Sequence, residues 1–224
     1  MAELSSRKPA RWRVAVTQRR LAATATTWAR DALDADWPTW FVAQAAWGQF
    51  LPLPNFEEPG KALGYMQHWS IDALILSGGE DVGSSPVRDA METRLLDHAR
   101  ENRLPVLGVC RGMQVLQRYS GGEVMPISGH VGQAHALQTV RPSPPVNSWH
   151  RWSIAAPAQG WSVLARAEDG TIEAMRHQDL PWLGLMWHPE RREGGTALVE
   201  PWLRQIFPSS GDQGPDPNDP EPSS

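Results

Sequence analysis

The sequence contains a single cysteine among 224 residues, so no disulfide bond can form within the chain. This excludes the class of small proteins that disulfides hold together, and it is typical of a reducing compartment. The sequence also lacks the run of roughly 18–20 apolar residues that a membrane-spanning helix needs, and residues 1–13 are mostly polar and basic. We therefore expect a cytoplasmic protein without a membrane segment.

A basic excess is also missing. Asp and Glu together number 25 and Lys and Arg 21, which leaves a net charge of −4. Because nucleic-acid-binding proteins concentrate Lys and Arg on one face, this balance argues against a nucleic-acid partner. Apolar residues make up 41% of the chain, which is enough for one packed core in a domain of this length.

Composition divides the chain into three parts. Residues 1–10 are predicted to be a loose leader, and residues 11–207 are predicted to form a single folded domain. Residues 208–224 are rich in proline, glycine and acidic residues and show no apolar periodicity. We expect this last part to be a disordered tail.

Short apolar runs indicate buried strands, and helical patterns lie between them. The predicted strands are residues 13–17, 50–53, 71–76, 104–109 and 182–186, and the predicted helices are 59–69, 87–102, 112–119 and 195–206. This alternation predicts an α/β fold with a mostly parallel central sheet flanked by helices.

Two regions depart from the simple alternation. Short strands predicted at 153–155, 163–167 and 171–176 indicate a small antiparallel extension, with Asp169-Gly170 as the turn between the last two. Residues 27–48 carry a helical pattern that a proline at position 38 is expected to break.

The cysteine stands between a predicted strand and a predicted helix, in the segment Gly108-Val109-Cys110-Arg111-Gly112. A nucleophile on such a turn is exposed at the carboxyl end of the sheet, and flanking glycines allow close packing. The helix N-terminus stabilises a thiolate, and the backbone N–H of Arg111 becomes available to an oxyanion. The alternative is a buried cysteine that serves only for packing.

Two further segments follow predicted strands. His188 comes after strand 182–186, and Glu190, two residues on, can hold one nitrogen of its ring. The glycines of Ser77-Gly78-Gly79 would let a backbone amide complete an oxyanion hole. Their alternatives are a structural histidine and an ordinary glycine turn. All three segments lie at carboxyl ends of strands, where open α/β sheets place their sites.

Together these segments resemble the class I glutamine amidotransferase superfamily and, within it, the γ-glutamyl hydrolase-like group (peptidase C26). The resemblance runs from about residue 71 to residue 190 and implies a flavodoxin-like, three-layer fold. The matching segments are LILSGGEDVG at 74–83, PVLGVCRGMQVLQRYSGG at 105–122, NSWH at 147–150, DGTIEAM at 169–175 and GLMWHPE at 184–190.

The resemblance implies a catalytic triad in a cysteine hydrolase. Cys110 would be the nucleophile, His188 the base and Glu190 the acid that orients the histidine. The oxyanion hole would be formed by Gly79 and Arg111. The implied reaction is cleavage of a γ-glutamyl amide bond through a covalent acyl-enzyme, with release of glutamate.

The resemblance also implies a pocket for the glutamyl group. Gln114 would help to hold this group, and His150 and Trp152 would line the pocket. Two departures from the family pattern concern the same region. Glu80 replaces a third glycine, which leaves open whether Gly79 or Glu80 donates to the oxyanion, and a pair at 151–152 replaces a more usual polar pair.

The N-terminal part resembles the γ-glutamyl-CDP-amidate hydrolases, through VTQR at 16–19, WARDALD at 28–34 and LPLPN at 51–55. Those enzymes release glutamate from a nucleotide-linked phosphoramidate that is used to modify surface polysaccharides such as capsule. The resemblance makes Arg19, Arg30, Asp31 and Asp34 candidates for substrate contacts. The alternative is a solvated helix face.

Other functions stay open at this stage: a glutaminase subunit that delivers ammonia to a separate synthetase, a γ-glutamyl-γ-aminobutyrate-type hydrolase, and a non-enzymatic binding protein on this fold. The chain ends soon after Glu190 without a synthetase domain, which favours a stand-alone hydrolase. The expected partner is a small γ-glutamyl substrate, with a homodimer left open and a synthetase partner under the first alternative.

No cofactor is expected for this chemistry. Histidines at positions 130 and 135 suggest metal ligands, but a lone cysteine and scattered acids provide no recognisable ligand set. We therefore expect no metal site.

Overall fold

The computed structural model describes residues 11–44, 47–139, 144–192 and 194–208. The expected leader, residues 1–10, and residues 209–224 of the expected tail lie outside the described residues, so the domain boundaries remain a prediction. Within the described part of the chain, no helix is both long and apolar enough to cross a membrane.

The strands and helices of the described chain alternate in its central part. The strands are β1 (Trp12–Thr17), β2 (Arg19–Leu21), β3 (Arg30–Ala32), β4 (Trp47–Leu53), β5 (Ala73–Leu76), β6 (Val106–Val109), β7 (Met125–Pro126), β8 (Val131–His135), β9 (Leu137–Gln138), β10 (Val146–Trp149), β11 (Trp152–Ser153), β12 (Trp161–Ala167), β13 (Ile172–His177) and β14 (Trp182–Leu185). The helices are α1 (Asp36–Val42), α2 (Pro59–His68), α3 (Pro86–Glu101), α4 (Arg111–Tyr119) and α5 (Thr196–Ile206).

One sheet of eight strands, in the order β4-β1-β5-β6-β14-β13-β12-β9, organises the domain. Strands β4, β1, β5, β6 and β14 pair in parallel, and β13, β12 and β9 continue the sheet in antiparallel pairs. The predicted mostly parallel sheet with a small antiparallel extension is confirmed. Because the parallel strands run the same way, the segments that follow β1, β5, β6 and β14 meet at one edge of the sheet.

Both faces of the parallel strands are buried, which explains why the sequence has continuous apolar runs there. In β5, for example, Ile75 packs into one core and Leu74 and Leu76 into the other. The first core contains α1, α5 and a group of aromatic rings that includes Trp37 and Trp47. Helices α2, α3 and α4 cover the opposite face, so the domain has three layers.

The segment from 27 to 48 differs from the prediction. Residues 30–32 form strand β3, which pairs with β2, and they are not part of a helix. Pro38 does not break the helix in this region, because it lies in the first turn of α1. Backbone N–H groups of a first helical turn have no acceptor within the helix, so proline costs little at this position.

The two-stranded sheets between residues 125 and 153 were not predicted. Strand β8 pairs with β10, and β7 pairs with β11. These strands are short, and β8 is largely exposed, so they lack the apolar alternation from which strands are recognised. They form one wall beside the site described next.

Candidate functional site

Cys110 lies on a sharp turn between β6 and α4. Its backbone has a φ of 53°, which is rare for a residue with a side chain, and it caps the N-terminus of the helix. Its N–H donates to the carbonyl of Leu185 in β14 at 2.7 Å, which ties the turn to the neighbouring strand. A backbone strained in this way is held by its surroundings, and it directs the sulfur out of the carboxyl edge of the sheet.

Close backbone approach around the turn requires glycine at two positions. A Cβ on Gly108 would lie 2.6 Å from the backbone of Gly112. On the neighbouring loop, a Cβ on Gly78 would lie 2.7 Å from Cε1 of His188. Both distances are shorter than a real contact, so glycine at these positions lets α4 reach the sheet and lets the imidazole lie against the loop.

His188 follows β14 and is held at its backbone and at its ring. Asn147 clamps the backbone: its side chain accepts from the N–H of His188 at 3.0 Å and donates to the His188 carbonyl at 2.9 Å. Nδ1 of the ring lies 2.6 Å from a carboxylate oxygen of Glu190. The ring also lies near Cys110, whose side chain raises the pKa of His188 more than any other group does. The structure thus brings cysteine, histidine and glutamate together, with a hydrogen bond between His188 and Glu190.

The electrostatics of His188 follow from these neighbours. Burial alone would lower its pKa, but the charge and hydrogen bond of Cys110, followed by those of Glu190, raise the pKa to about 10. The imidazole is therefore charged at neutral pH. A charged histidine beside a cysteine at a helix N-terminus is the setting of an activated thiol nucleophile.

The loop after β5 presents a backbone amide beside this pair. The carbonyl of Gly78 accepts from Nη1 of Arg88 at 3.2 Å, so in the trans peptide the N–H of Gly79 points the opposite way. Gly79 lines the same cleft as Cys110. The carboxylate of Glu80 binds Nη1 of Arg88 at 3.2 Å. The orientation of the Gly78–Gly79 peptide makes Gly79 a candidate oxyanion donor.

The side chain of Arg111 points away from the cleft, into what we call the buried ion network (Arg88, Asp89, Glu92 and Arg111). One oxygen of Glu92 accepts from Arg88 at 2.9 Å and from Thr17 at 2.8 Å, and the other accepts from Arg111. Burial would raise the pKa of Glu92, but Arg111 and Arg88 lower it below its ordinary value. Only the backbone N–H of Arg111, in the first turn of α4, is placed to serve an oxyanion.

A cleft of about 350 Å³ opens above Cys110. Gln114, three residues into α4, lines it, and its amide nitrogen makes only long contacts, 3.5 Å to the Trp152 carbonyl and 3.7 Å to Sδ of Met186. His150 lines the cleft as well. The structure therefore brings these two expected residues to the site.

Trp152 takes a different place from the one expected. It contributes its carbonyl to Gln114 and His150, whereas the cleft wall is built by Trp149 and Arg151. Trp149 is 52% exposed. The segment NSWH is visible in the sequence, but the side chain that faces the cleft is not. The orientation of Trp149 depends on the irregularity in the pairing of β10 with β8 at this residue.

The four N-terminal candidates separate in the structure. Arg19 and Asp34 line a small cavity next to His188 and the glycine loop, and Asp34 is paired with Arg191. Arg30 is exposed on β3 and lines neither this cavity nor the cleft. Asp31 serves the fold, since it accepts from the backbone and side chain of Asn55 at 2.9 and 2.8 Å.

Sequence reasoning found no metal-ligand set, but the fold assembles one. Ligand atoms of four side chains lie within 4.8 Å of one another. We call this group the histidine–glutamate cluster: it consists of His130, His135, His150 and Glu173. His130 immediately precedes β8, His135 is the last residue of β8, His150 immediately follows β10, and Glu173 is the second residue of β13. His150 connects the cluster to the cleft.

Comparisons with known proteins show the family to which the chain belongs. The family model described as glutamine amidotransferase class-I matches residues 53–202. The gamma-glutamyl-CDP-amidate hydrolase of Campylobacter jejuni is 32% identical over 201 residues, which cover 86% of this chain and 98% of that protein. A glutamine-hydrolyzing GMP synthase subunit of Methanosarcina barkeri is 34% identical over 145 residues, or 59% of this chain and 72% of that protein.

Solved structures share the fold at low sequence identity. A glutamine amidotransferase of Thermotoga maritima superposes with a TM-score of 0.59 at 16% identity, covering 86% of this chain and 81% of that one. A glutamine amidotransferase of Methylobacillus flagellatus gives a TM-score of 0.55 at 19% identity, covering 86% and 74%. At these identities the likeness supports the architecture alone.

Proposed function

The chain belongs to the class I glutamine amidotransferase family and is a hydrolase-type enzyme, and we propose that it is a stand-alone cysteine hydrolase of γ-glutamyl amides. The specific substrate that we propose is γ-glutamyl-CDP-amidate, with glutamate as one product. The observation that carries the reaction type is the grouping of Cys110, His188 and Glu190 at the carboxyl edge of the sheet, where Glu190 holds Nδ1 of His188 at 2.6 Å and Cys110 raises the pKa of that ring.

The first step of the proposed reaction is attack by sulfur. The Cys110 thiolate adds to the δ-carbonyl carbon of the γ-glutamyl group, and the carbonyl oxygen becomes an oxyanion. The backbone N–H groups of Gly79 and Arg111 are the candidate donors to this oxygen. One well-placed donor of this kind typically contributes about 3–4 kcal/mol to the transition state.

His188 handles the protons of both half-reactions. Its charged ring donates a proton to the leaving nitrogen as the C–N bond breaks, which leaves a thioester on Cys110. The neutral ring then accepts a proton from water as the water attacks the thioester, and glutamate is released. Glu190 holds Nδ1 at 2.6 Å throughout, so that Nε2 faces the reacting groups.

Two observations support the specific substrate. The match to the Campylobacter jejuni hydrolase extends over 86% of this chain and 98% of that protein. The cleft wall also carries an exposed tryptophan and an arginine, Trp149 and Arg151, which suit the base and the diphosphate of a nucleotide leaving group. On this proposal Gln114 contacts the glutamyl group, and the reaction belongs to surface polysaccharide modification.

A glutaminase that supplies a separate synthetase is the second candidate, favoured by the likeness to the GMP synthase of Methanosarcina barkeri. Its chemistry at Cys110 would be the same, with ammonia as the leaving group. The two candidates differ in the size of that group. A cleft of about 350 Å³ is larger than glutamine alone requires, which supports the conjugate.

The test offers glutamine, γ-glutamyl-γ-aminobutyrate and γ-glutamyl-CDP-amidate separately to the wild-type protein and to Cys110→Ala. Glutamate release is followed by mass spectrometry. We expect fast release from γ-glutamyl-CDP-amidate, almost none from glutamine, and loss of release in the variant.

Each other result selects an alternative. Turnover of glutamine alone would favour the glutaminase and its synthetase partner. Turnover of γ-glutamyl-γ-aminobutyrate would favour that type of hydrolase. Release from none of the three, together with failure of Cys110 to react with a γ-glutamyl electrophile, would favour a binding protein.

A further inference from the structure

The histidine–glutamate cluster is compact and almost closed to solvent. Nδ1 of His130 lies 3.3 Å from Nε2 of His150. A carboxylate oxygen of Glu173 lies 3.4 Å from the same Nε2 and 3.8 Å from the same Nδ1. Glu173 is 0% exposed, and His130 and His150 are buried. Three potential ligand atoms thus surround one point inside the protein.

The outer hydrogen bonds of two histidines determine where their protons lie. Nδ1 of His150 is 2.9 Å from the Trp152 carbonyl, which can only accept, so this nitrogen carries a hydrogen. Nε2 of His130 is 2.8 Å from the carboxylate of Asp169 and donates to it. The remaining ring nitrogens, Nδ1 of His130 and Nε2 of His150, face each other at 3.3 Å. In neutral rings both carry lone pairs, which a metal ion or a proton between them would bring together.

The carboxylate of Glu173 also calls for a cation at the centre of the cluster. Neither of its carboxylate oxygens has a hydrogen-bond partner among the described residues, nor does Nε2 of His135. A buried carboxylate without hydrogen bonds is destabilising, because it has lost its hydration, and only a cation or a charged histidine beside it would offset that loss. A cation bound at the centre of the cluster would remove this cost for the glutamate and the histidines together.

We propose that the histidine–glutamate cluster is a structural zinc site. Three imidazoles and one carboxylate are ligands that Zn²⁺ takes in tetrahedral geometry, at about 2.0–2.1 Å. Ligand atoms at the corners of such a tetrahedron are about 3.3 Å apart. Two of the three separations among His130, His150 and Glu173, 3.3 and 3.4 Å, match this value, and the third is 3.8 Å. All four ligand atoms lie within 4.8 Å of one another, so a bound ion would draw them closer. The bonds from Asp169 and the Trp152 carbonyl are the outer partners that orient zinc-binding histidines.

The zinc ion would connect two parts of the fold. His130 immediately precedes β8 and His135 ends it, and the pairing of β8 with β10 forms a two-stranded sheet with little core of its own. Such a sheet is marginally stable alone. Glu173 belongs to β13 in the main sheet. Zinc would fasten the small sheet to the large one and so set the position of the cleft wall that carries Trp149.

The experiment measures metal content and is independent of any hydrolytic activity. Protein without an affinity tag, carrying Cys110→Ala to remove the thiol as a competing ligand, is stripped with EDTA and reloaded with zinc chloride. After dialysis, zinc is determined by mass spectrometry, and Tm is recorded with and without EDTA. Glu173→Gln in the same background removes a ligand, and Glu168→Gln, at an exposed position, is its matched control.

We expect about one zinc ion per chain in the Cys110→Ala protein and in the Glu168→Gln control, and a Tm that falls in EDTA. Glu173→Gln should lose the zinc and the EDTA effect together. His135→Gln, at a half-buried position, guards against misfolding of the first variant. Cobalt added to the stripped protein should give the visible bands of a tetrahedral site.

Two outcomes would overturn the inference. One is zinc retention equal in Glu173→Gln and its control, which would place any bound metal elsewhere. The other is a protein without zinc whose Tm is the same with and without EDTA. The second result would mean that a proton bridging the histidines occupies the cluster.

Discussion

The buried ion network and the histidine–glutamate cluster both place a carboxylate inside the protein near the cleft. Glu92 and Glu173 are each 0% exposed. They differ in what faces them. Both oxygens of Glu92 accept hydrogen bonds, and two arginines neutralise its charge. Both oxygens of Glu173 lack a hydrogen-bond partner among the described residues.

The difference shows how burial and pairing together indicate where a cation can bind. A buried ion pair can be complete within the protein, because its desolvation is offset by opposite charges and hydrogen bonds. A buried carboxylate without hydrogen bonds is incomplete by the same reasoning. The buried ion network therefore needs no ligand to balance its charges, whereas the histidine–glutamate cluster indicates a bound cation.

The largest expected effect on stability comes from removing the carboxylate at the centre of the buried ion network. Glu92→Ala leaves Arg88 and Arg111 buried without their shared carboxylate, so we expect the free energy of unfolding to fall by roughly 3–5 kcal/mol. Urea denaturation measures it, with and without EDTA, and the loss should be the same in both. Glu101→Ala, exposed at the end of the same helix, should change stability by at most about 0.5 kcal/mol. A loss below about 1 kcal/mol in Glu92→Ala would contradict the comparison.

A second prediction concerns the charge on the buried ring of His188. If Cys110 is the main group that stabilises this charge, replacing it should lower the pKa of His188. Cys110→Ala removes the two strongest causes that raise the pKa of His188, while burial continues to lower it. We expect the pKa to fall from about 10 towards or below its ordinary value of about 6.5. NMR titration of the ring measures it, and Trp149→Ala, which leaves the thiol in place, is the control.

The sign of the accompanying stability change follows from linkage. Because the pKa of His188 is raised in the folded state, the charged ring stabilises the wild-type fold fully below the unfolded value of about 6.5. This contribution is lost as the pH rises through about 10. In Cys110→Ala the loss should occur at lower pH. An unchanged titration would mean that Glu190 alone holds the charge.

The parts of the site that the sequence predicted are local in the chain. The strand-to-helix turn at Cys110 and the short step from His188 to Glu190 each lie within a few residues of a strand end, and the structure has them there. Strand ends are visible as boundaries of apolar runs. In a parallel sheet the carboxyl ends of all strands lie at one edge. The fold class alone therefore predicts that the segments with Cys110 and His188 meet there.

The parts that the sequence missed depend on tertiary pairing. Asn147 holds His188 across 41 residues. The cluster combines a turn, two ends of β8 and a residue inside β13, and none of these segments carries a metal-binding spacing. Only the pairing of β8 with β10, beside β13, makes them neighbours. Short exposed strands give no periodic signal for such pairing.

Outer-shell partners should have a smaller effect than ligands. Asp169→Asn weakens the acceptor for Nε2 of His130 but leaves all four proposed ligands in place. We expect zinc affinity to fall roughly 10–100-fold, the usual consequence of losing such a partner. Competition with a chromogenic chelator measures the affinity, and Asp179→Asn, at an exposed turn, should leave it unchanged. If Asp169→Asn and Asp179→Asn bind zinc with equal affinity, Asp169 does not support the metal site.

The smallest expected effect comes from a solvent-exposed ion pair with the same four-residue spacing as the buried pair of Arg88 and Glu92. Glu200 and Arg204 are four residues apart on α5, as Arg88 and Glu92 are on α3, and their oxygen and nitrogen lie 2.5 Å apart. Their side chains are more than half exposed, so solvent screens the attraction, and Glu200→Gln should cost only about 0.3–0.5 kcal/mol in unfolding free energy. Urea denaturation at low and high salt should show even this loss shrinking as ionic strength rises. A loss near that of Glu92→Ala would mean that burial is not what separates strong from weak pairs in this protein.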